Sequence, residues 1–254
     1  MESVCQPAAR APRPADRPGL EIALFLVHEG ATVIGIYHSN KDAADRLHKT
    51  LGNHFVPVQA DITKAESAVP SVVSAIEKAG IKKLDIIVNN AALSPLGPLS
   101  TLEARTFLEV LEANVVFPAM VVKALLPILS KSGTARIINI SSEGAHLGRA
   151  NTTAYSASKA ALESMTRTWA QEFGREYHGL TSNALALGMI ETDLWERLPS
   201  DRKHFWNEKL KETPVSARLG KPNDVAGLVA FLAGDQASWV SGQVIAVGGG
   251  NLMK

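Results

Sequence analysis

Ala135-Arg-Ile-Ile-Asn-Ile-Ser-Ser142 leads, thirteen residues past its last serine, into Tyr155-Ser-Ala-Ser-Lys159. The first run is nearly continuous aliphatic, as expected of a strand buried on both faces of a parallel sheet. The second lies inside a helical pattern, Ala154–Glu176. The same alternation extends outward in both directions. Strands are predicted at Thr32–Tyr37, Phe55–Val58, Leu84–Asn89, Ala135–Ser141, Leu180–Leu187 and Gln243–Val247. Helices are predicted between them at Leu20–Glu29, Lys41–Leu51, Ala65–Ala79, Leu102–Ser130, Ala154–Glu176 and Asn223–Leu232. Strand–helix alternation of this kind specifies a doubly wound α/β fold built on a parallel sheet, here in a single domain.

The same two runs carry the chemistry. Tyr155 and Lys159 are four apart on a helix and share a face, so the ammonium can approach the phenol. An isolated tyrosine titrates near about pH 10, too high for a base at neutral pH, and a neighbouring cation favours the phenolate. Ser142, at the end of the preceding strand, offers a hydroxyl to hold a substrate oxygen while its proton moves. This is proton-transfer chemistry at a carbonyl or carbinol. Ser141, the adjacent hydroxyl, reads as a strand-end cap.

Composition narrows the class. The chain has 254 residues, 46% hydrophobic and 20% charged, enough for one large domain with a substantial core. A formal net charge of +1 gives no bulk field that would recruit nucleic acid or an anionic membrane. Cys5 is the only cysteine, so no internal disulfide forms and a reducing compartment fits. No uninterrupted apolar run approaches the roughly 20 residues of a membrane span. Met1-Glu-Ser-Val-Cys-Gln6 lacks a basic region followed by an apolar one, so no signal peptide is expected and the cytoplasm is the default compartment.

Two stretches break the rhythm. Residues 1–18 are rich in Pro and Arg, which are unsuited to a central strand, and read as an irregular segment. A doubly wound sheet wants its first, central strand there, so that strand is expected to be missing or irregular. Residues 193–213 form a polar, aromatic-bearing helical insertion, read as either a lid or a surface helix pair.

Five elements in order resemble the classical short-chain dehydrogenases/reductases, over about Gly19 to Gly250. Asn89-Asn90-Ala91-Ala92 is similar to that family's Asn-Asn-Ala-Gly turn. Asn114, twenty-eight residues before Ser142, falls where the family keeps its catalytic asparagine. Ser142, Tyr155 and Lys159 complete the tetrad. Asn183 to Thr192 resembles Asn-Ala-x-x-Pro-Gly-x-x-x-Thr. Arg218 to Ala226 and Ser241 to Gly250 resemble the last helix and strand. The resemblance implies a Rossmann-like fold and a nicotinamide cofactor, with no metal. Tyr155 would be the general acid in reduction and the general base in oxidation. Lys159 would support it and bond the nicotinamide ribose. Ser142 would polarise the substrate oxygen, and Asn114 would hold a relay water.

The cofactor motif departs from the family. Its Thr-Gly-x-x-x-Gly-x-Gly turn aligns with Pro12-Arg13-Pro14-Ala15-Asp16-Arg17-Pro18-Gly19, and only Gly19 remains. Three accounts fit. A dinucleotide still binds, with Arg13 or Arg17 contacting phosphate. Or redox chemistry is abandoned for a cofactor-independent lyase, isomerase or cyclase reaction, or for binding alone. Or the Arg/Pro/Ala run comes from a shifted, GC-rich reading frame. The remaining cofactor positions are Tyr37, His38 and Ser39 after the second strand, Asp61 and Ile62 at the adenine, Asn90 beside the ribose, and Ile190 and Thr192 at the carboxamide. No acid follows the second strand to repel a 2′-phosphate, so NADP is favoured over NAD. Leu187 stands for the family proline, and Ala92 for a glycine, which matters if that turn needs a positive φ.

Substrate walls are expected from Leu93, Leu96, His146, Leu147, Met189, Leu194, Trp195, Phe205 and Trp206. This apolar lining suits a hydrophobic ketone. The long helices Leu102–Ser130 and Ala154–Glu176, with Gly248–Gly250 as a second contact, resemble the family's homodimer or homotetramer interfaces. The partner is a small molecule, not nucleic acid or membrane. A non-catalytic, family-like subunit is the remaining alternative.

Overall fold

The computed structural model describes residues 2–5, 17–192, 195, 198 and 200–253. Seven parallel strands form one sheet: β1 (Glu2–Cys5), β2 (Thr32–Tyr37), β3 (Phe55–Gln59), β4 (Ile86–Asn89), β5 (Arg136–Ser142), β6 (Thr181–Leu187) and β7 (Val244–Val247), in the order β3-β2-β1-β4-β5-β6-β7. Every pairing is parallel. All strands therefore end on one edge, and the order reverses between β1 and β4, where a crevice for ligands opens in this architecture. β4 and β5 are buried along their whole length, as their aliphatic runs require.

The first strand corrects the sequence reading. Residues 1–18 are not irregular throughout: Glu2–Cys5 lies between β2 and β4, with Val4 opposite both Ile34 and Ile87. The neighbouring edges explain why so short a segment suffices. β2 and β4 each present a row of backbone donors and acceptors, and four extended residues pair with both rows at once. The Pro/Arg run at 6–16 lies outside the described residues.

Helices cover both faces. α1 (Arg17–His28) packs against α8 (Pro222–Ala233) on one face, around Ile22, Leu26, Val33, Ile138, Val225 and Val229. On the other face α3 (Ala65–Lys78), α5 (Phe117–Leu125) and α6 (Thr153–Phe173) enclose a second core with Ile34, Ile87, Val121 and Ile137. α2 (Lys41–Leu51) follows β2, capped by the Asn40 side chain, which accepts from the Ala43 N–H at 3.1 Å. The predicted helix Leu102–Ser130 divides into α4 (Ala104–Leu111), a π turn (Glu112–Val116) and α5. The stretch Ala104–Ile128 has the length and apolarity of a membrane span. Here Val110, Ala113, Phe117, Val121 and Leu125 are buried in the protein interior. Within the predicted insertion, α7 spans Ser200–Leu210, while Asp193, Leu194, Glu196, Arg197 and Pro199 lie outside the described residues.

Candidate active site

β5 ends in two buried serines at the ligand edge of the sheet. The Ser142 Oγ accepts a hydrogen bond from the Gly144 N–H at 3.1 Å. A hydroxyl has one proton and two lone pairs, so that bond leaves its own proton to donate toward a ligand oxygen. Ser141 is not a strand-end cap. It donates to Glu163 Oε1 at 2.6 Å.

α6 turns a polar face toward the end of β5. Tyr155 is partly buried and Lys159 is 2% exposed. The Lys159 Nζ donates to the Ile140 carbonyl at 2.7 Å and stands 5.7 Å from the centre of the Tyr155 ring. An ammonium that far from water persists only with acceptors around it. The i,i+4 spacing and the β5 carbonyl together place that charge beside the phenol. Glu163, one further turn along, is also buried; it accepts from Ser141 and faces His146 Nε2 at 2.8 Å.

Asn114 reaches the site through the π turn, a geometry that concentrates at functional positions. Its Oδ1 accepts from the Leu93 N–H at 2.7 Å. Its Nδ2 donates to the Leu93 carbonyl and to Ser158 Oγ, both at 2.9 Å. Ser158 Oγ in turn donates to the Tyr155 carbonyl at 2.7 Å. Asn114 thus straps the loop after β4 to the turn of α6 that carries Tyr155. Both Nδ2 hydrogens are committed. A relay water would have to bond the second lone pair of Oδ1 or a carbonyl of the π turn.

Beside this group lies a charged pair that sequence reasoning missed. Glu143 follows Ser142 and has no exposed surface. Its Oε2 meets the Arg149 guanidinium at 3.2 Å, while its Oε1 has no hydrogen-bond partner among the described residues. Burial pushes the Glu143 carboxyl above its ordinary pKa, against the opposing pull of Arg149. The carboxylate rests on two glycines: a Cβ on Gly188 would lie 3.1 Å from Glu143 Oε1 and 2.8 Å from the Gly248 Cα. Gly188 is needed for that close approach, and its N–H bonds the Val247 carbonyl at 3.0 Å. Arg149 also lies 3.9 Å from the Met189 sulfur and 4.7 Å from the Trp206 ring on α7. The expected apolar wall therefore contains a cation. Leu194 lies outside the described residues, and Leu96 and Phe205 are about half exposed, at 48% and 50%.

The cofactor positions fall along the same edge. Tyr37 closes β2, and His38 and Ser39 follow it. His38 Nε2 is 3.7 Å from Asp61 Oδ2, and the Lys64 ammonium is 3.5 Å from the same oxygen. Burial acts to raise the Asp61 pKa, but hydrogen bonds from the Thr63 hydroxyl and N–H, with His38 and Lys64, hold it below the ordinary value. Ile62 follows on the partly buried turn, and Asn90 is buried just past β4. Ile190 is buried and bridges to Gly220, and Thr192 Oγ1 accepts from the Trp195 N–H at 3.4 Å. Gly19 is buried in the first turn of α1, a turn that contains no acidic residue. Pro18 also sits in that turn, where the N–H it lacks has no helical partner anyway. Ala92 does not have a positive φ, since the only described non-glycine residues that do are Asn151 and His178. The turn after β4 tolerates its alanine. These residues follow the carboxyl ends of β2, β3, β4 and β6, the edge at which this architecture takes a dinucleotide.

Comparison with known proteins gives a consistent pattern. A family model described as enoyl-(acyl carrier protein) reductase matches residues 19–251. The short-chain dehydrogenase/reductase FrzI of Cladobotryum sp is 37% identical, over 91% of this chain and 90% of that protein. The 3-oxoacyl-[acyl-carrier-protein] reductase FabG of Thermotoga maritima is 34% identical, over 91% and 92%. Among solved structures, a blue fluorescent protein from a metagenomic library, in complex with NADPH, superimposes with a TM-score of 0.87 at 31% identity, covering 100% of this chain and 98% of that one. A dehydrogenase/reductase from Sinorhizobium meliloti 1021 follows at 0.86 and 30%, covering 99% and 95%.

Proposed function

The chain belongs to the short-chain dehydrogenase/reductase family, and from that premise we propose that it is an NADP-dependent oxidoreductase that reduces a ketone, or oxidises a secondary alcohol, of a hydrophobic small molecule. The observation that carries this reading is the buried Lys159 ammonium, held by the Ile140 carbonyl of the strand that ends in Ser142 and 5.7 Å from the centre of the Tyr155 ring. Ser142 donates to the substrate oxygen. Tyr155 gives that oxygen its proton in reduction and takes it in oxidation. Lys159 stabilises the phenolate left behind. Asn114 fixes Tyr155 through Ser158. A bound nicotinamide supplies the hydride, which no side chain can.

Support for NADP comes from the corner after β2. The Lys64 ammonium lies close to that corner beside Asp61, and β2 ends in Tyr37 with no acid directly after it. The NADPH complex of the structural relative is consistent with that preference. The α4–α5 surface exposes Leu108, Val116 and Met120, which supports a homodimer or homotetramer formed through it.

Titration of the purified protein with NADPH and NADH, by fluorescence or calorimetry, tests the reading. Saturable binding with NADPH tighter is expected. No binding of either cofactor at millimolar concentration would overturn it. That result would favour the second reading, a cofactor-independent lyase, isomerase or cyclase, whose supporting observation is the replacement of the glycine-rich turn by Pro12 to Pro18.

A further inference from the structure

Arg149 touches three separate elements at once. It pairs with Glu143 beneath it, lies against Met189 of the loop after β6, and stacks over Trp206 of α7. Glu143 is the residue next to Ser142. One side chain therefore connects the α7 helix to the floor of the reaction site.

α7 buries few of its described side chains. Among its described residues only Leu210 is buried, and only Lys203 and Trp206 are partly so. Its other described side chains, from His204 and Phe205 to Lys209, are exposed. A helix with so little apolar contact draws its position from the few side chains that hold it, and segments of this kind open at low free energy. Phe205 stacks edge-on against Trp206 at 5.3 Å but is itself half exposed, so it extends the aromatic surface without anchoring it. Arg149 is held rigidly from below. The Glu143 carboxylate has no exposed surface, is wedged against Gly188 and Gly248, and cannot follow Arg149 outward. A planar cation fixed at one end and presenting its face to an indole makes a seat for the helix.

We propose that Arg149 is a positioning residue that seats α7 over the substrate side of the site, with Glu143 holding it from below and Trp206 docking on it from above. The pair thereby sets how tightly a substrate is enclosed, not how fast its carbonyl reacts. This rests on the oxidoreductase reading above for its kinetic consequence, but not for its structural one.

The experiment has two readouts. Hydrogen exchange is followed across residues 200–210, and KM and kcat are measured with a panel of hydrophobic ketones at saturating NADPH. In Arg149→Met and in Trp206→Leu, the α7 amides are expected to exchange about tenfold faster or more, while β5 and α6 are unchanged. KM should rise by about tenfold, with kcat within about threefold and NADPH affinity as in the parent. The double variant should be no worse than either single one, since both remove the same contact. Arg149→Lys and Trp206→Phe should restore part of the effect. Because Arg149→Met leaves a buried carboxylate unpaired, Glu143→Gln/Arg149→Met is measured beside it to separate the seat from that penalty. Unchanged exchange in α7, or additive losses in the double variant, would overturn the proposal. A parent enzyme that turns over no ketone but shows the exchange effect would count against the oxidoreductase reading alone.

Discussion

The Lys159 ammonium donates to the main-chain carbonyl of Ile140 at 2.7 Å, fixing a buried cation against the strand that ends in Ser142. The strand thus sets the height of the charge, and the helix spacing sets its distance from the Tyr155 ring. Lys159→Met removes the cation while keeping most of the volume. It should lower kcat by about 10²–10⁴, the range expected for a general acid–base unit. Loss of less than about tenfold in steady-state assays would contradict the assignment.

Asn114 is a strap before it is anything else. Asn114→Ala leaves the N–H and C=O of Leu93 and the Ser158 hydroxyl without their partner. Each buried polar group left unpaired costs about 1–3 kcal/mol, so urea denaturation should show a loss of at least about 2 kcal/mol together with lower kcat. Ser158→Ala, which breaks the links to Asn114 Nδ2 and to the Tyr155 carbonyl but leaves both Asn114 bonds to Leu93, should cost less than Asn114→Ala on both measures.

Glu143 gives a pH dependence of definite sign. Its folded pKa is raised by burial above the ordinary glutamate value. The folded state therefore binds this proton more tightly than the unfolded chain does. The favourable contribution is fully present below the unfolded pKa and is lost as pH rises through the raised folded value. Glu143→Gln removes that slope. Denaturation across a pH series should find the two proteins equally stable near the acid end, with the Gln variant gaining on the parent as pH rises through the weakly acidic range. A parent that gains relative to Gln over that window would contradict the burial argument.

Gly248→Ala tests the fit of the same carboxylate. The added methyl runs into Glu143 Oε1 and Cδ, so the strand end or the side chain must move. Overpacking of this kind costs about 1–3 kcal/mol, readable in a chemical denaturation midpoint. Glu143→Ala in the same chain should recover most of it, a coupling that distant sites would not show.

Much of this architecture is legible in the sequence because it follows from periodicity. Aliphatic runs such as Ile137 to Ile140 fit only a strand covered on both faces, and six of the seven strands are found this way. β1 escapes because Glu2–Cys5 is short and stands beside Pro- and Arg-rich residues. Its strand character comes from the two ladders it completes. The Tyr155–Lys159 pair is legible because four-residue spacing on a helix is a local signal, whereas Asn114 enters only through the family resemblance. Extending that spacing once more from Lys159 reaches Glu163, and three residues beyond Tyr155 lies Ser158, so the same rule could have found both. Glu143 and Arg149 carry no such signal. Their pairing depends on how the loop after β5 folds back over the ends of β6 and β7. The π turn is equally silent, since Glu112 to Val116 reads as ordinary helix.

The central claim is that Tyr155 moves the proton while the rest of the site holds cofactor and substrate. Tyr155→Phe removes one hydroxyl from a partly buried ring and leaves Ser142, Lys159 and Asn114 in place. The decisive measurement is turnover of a hydrophobic ketone beside an NADPH titration on that variant. The account predicts undetectable turnover with NADPH affinity close to the parent's. Turnover retained at parental rates, with cofactor bound, would contradict it.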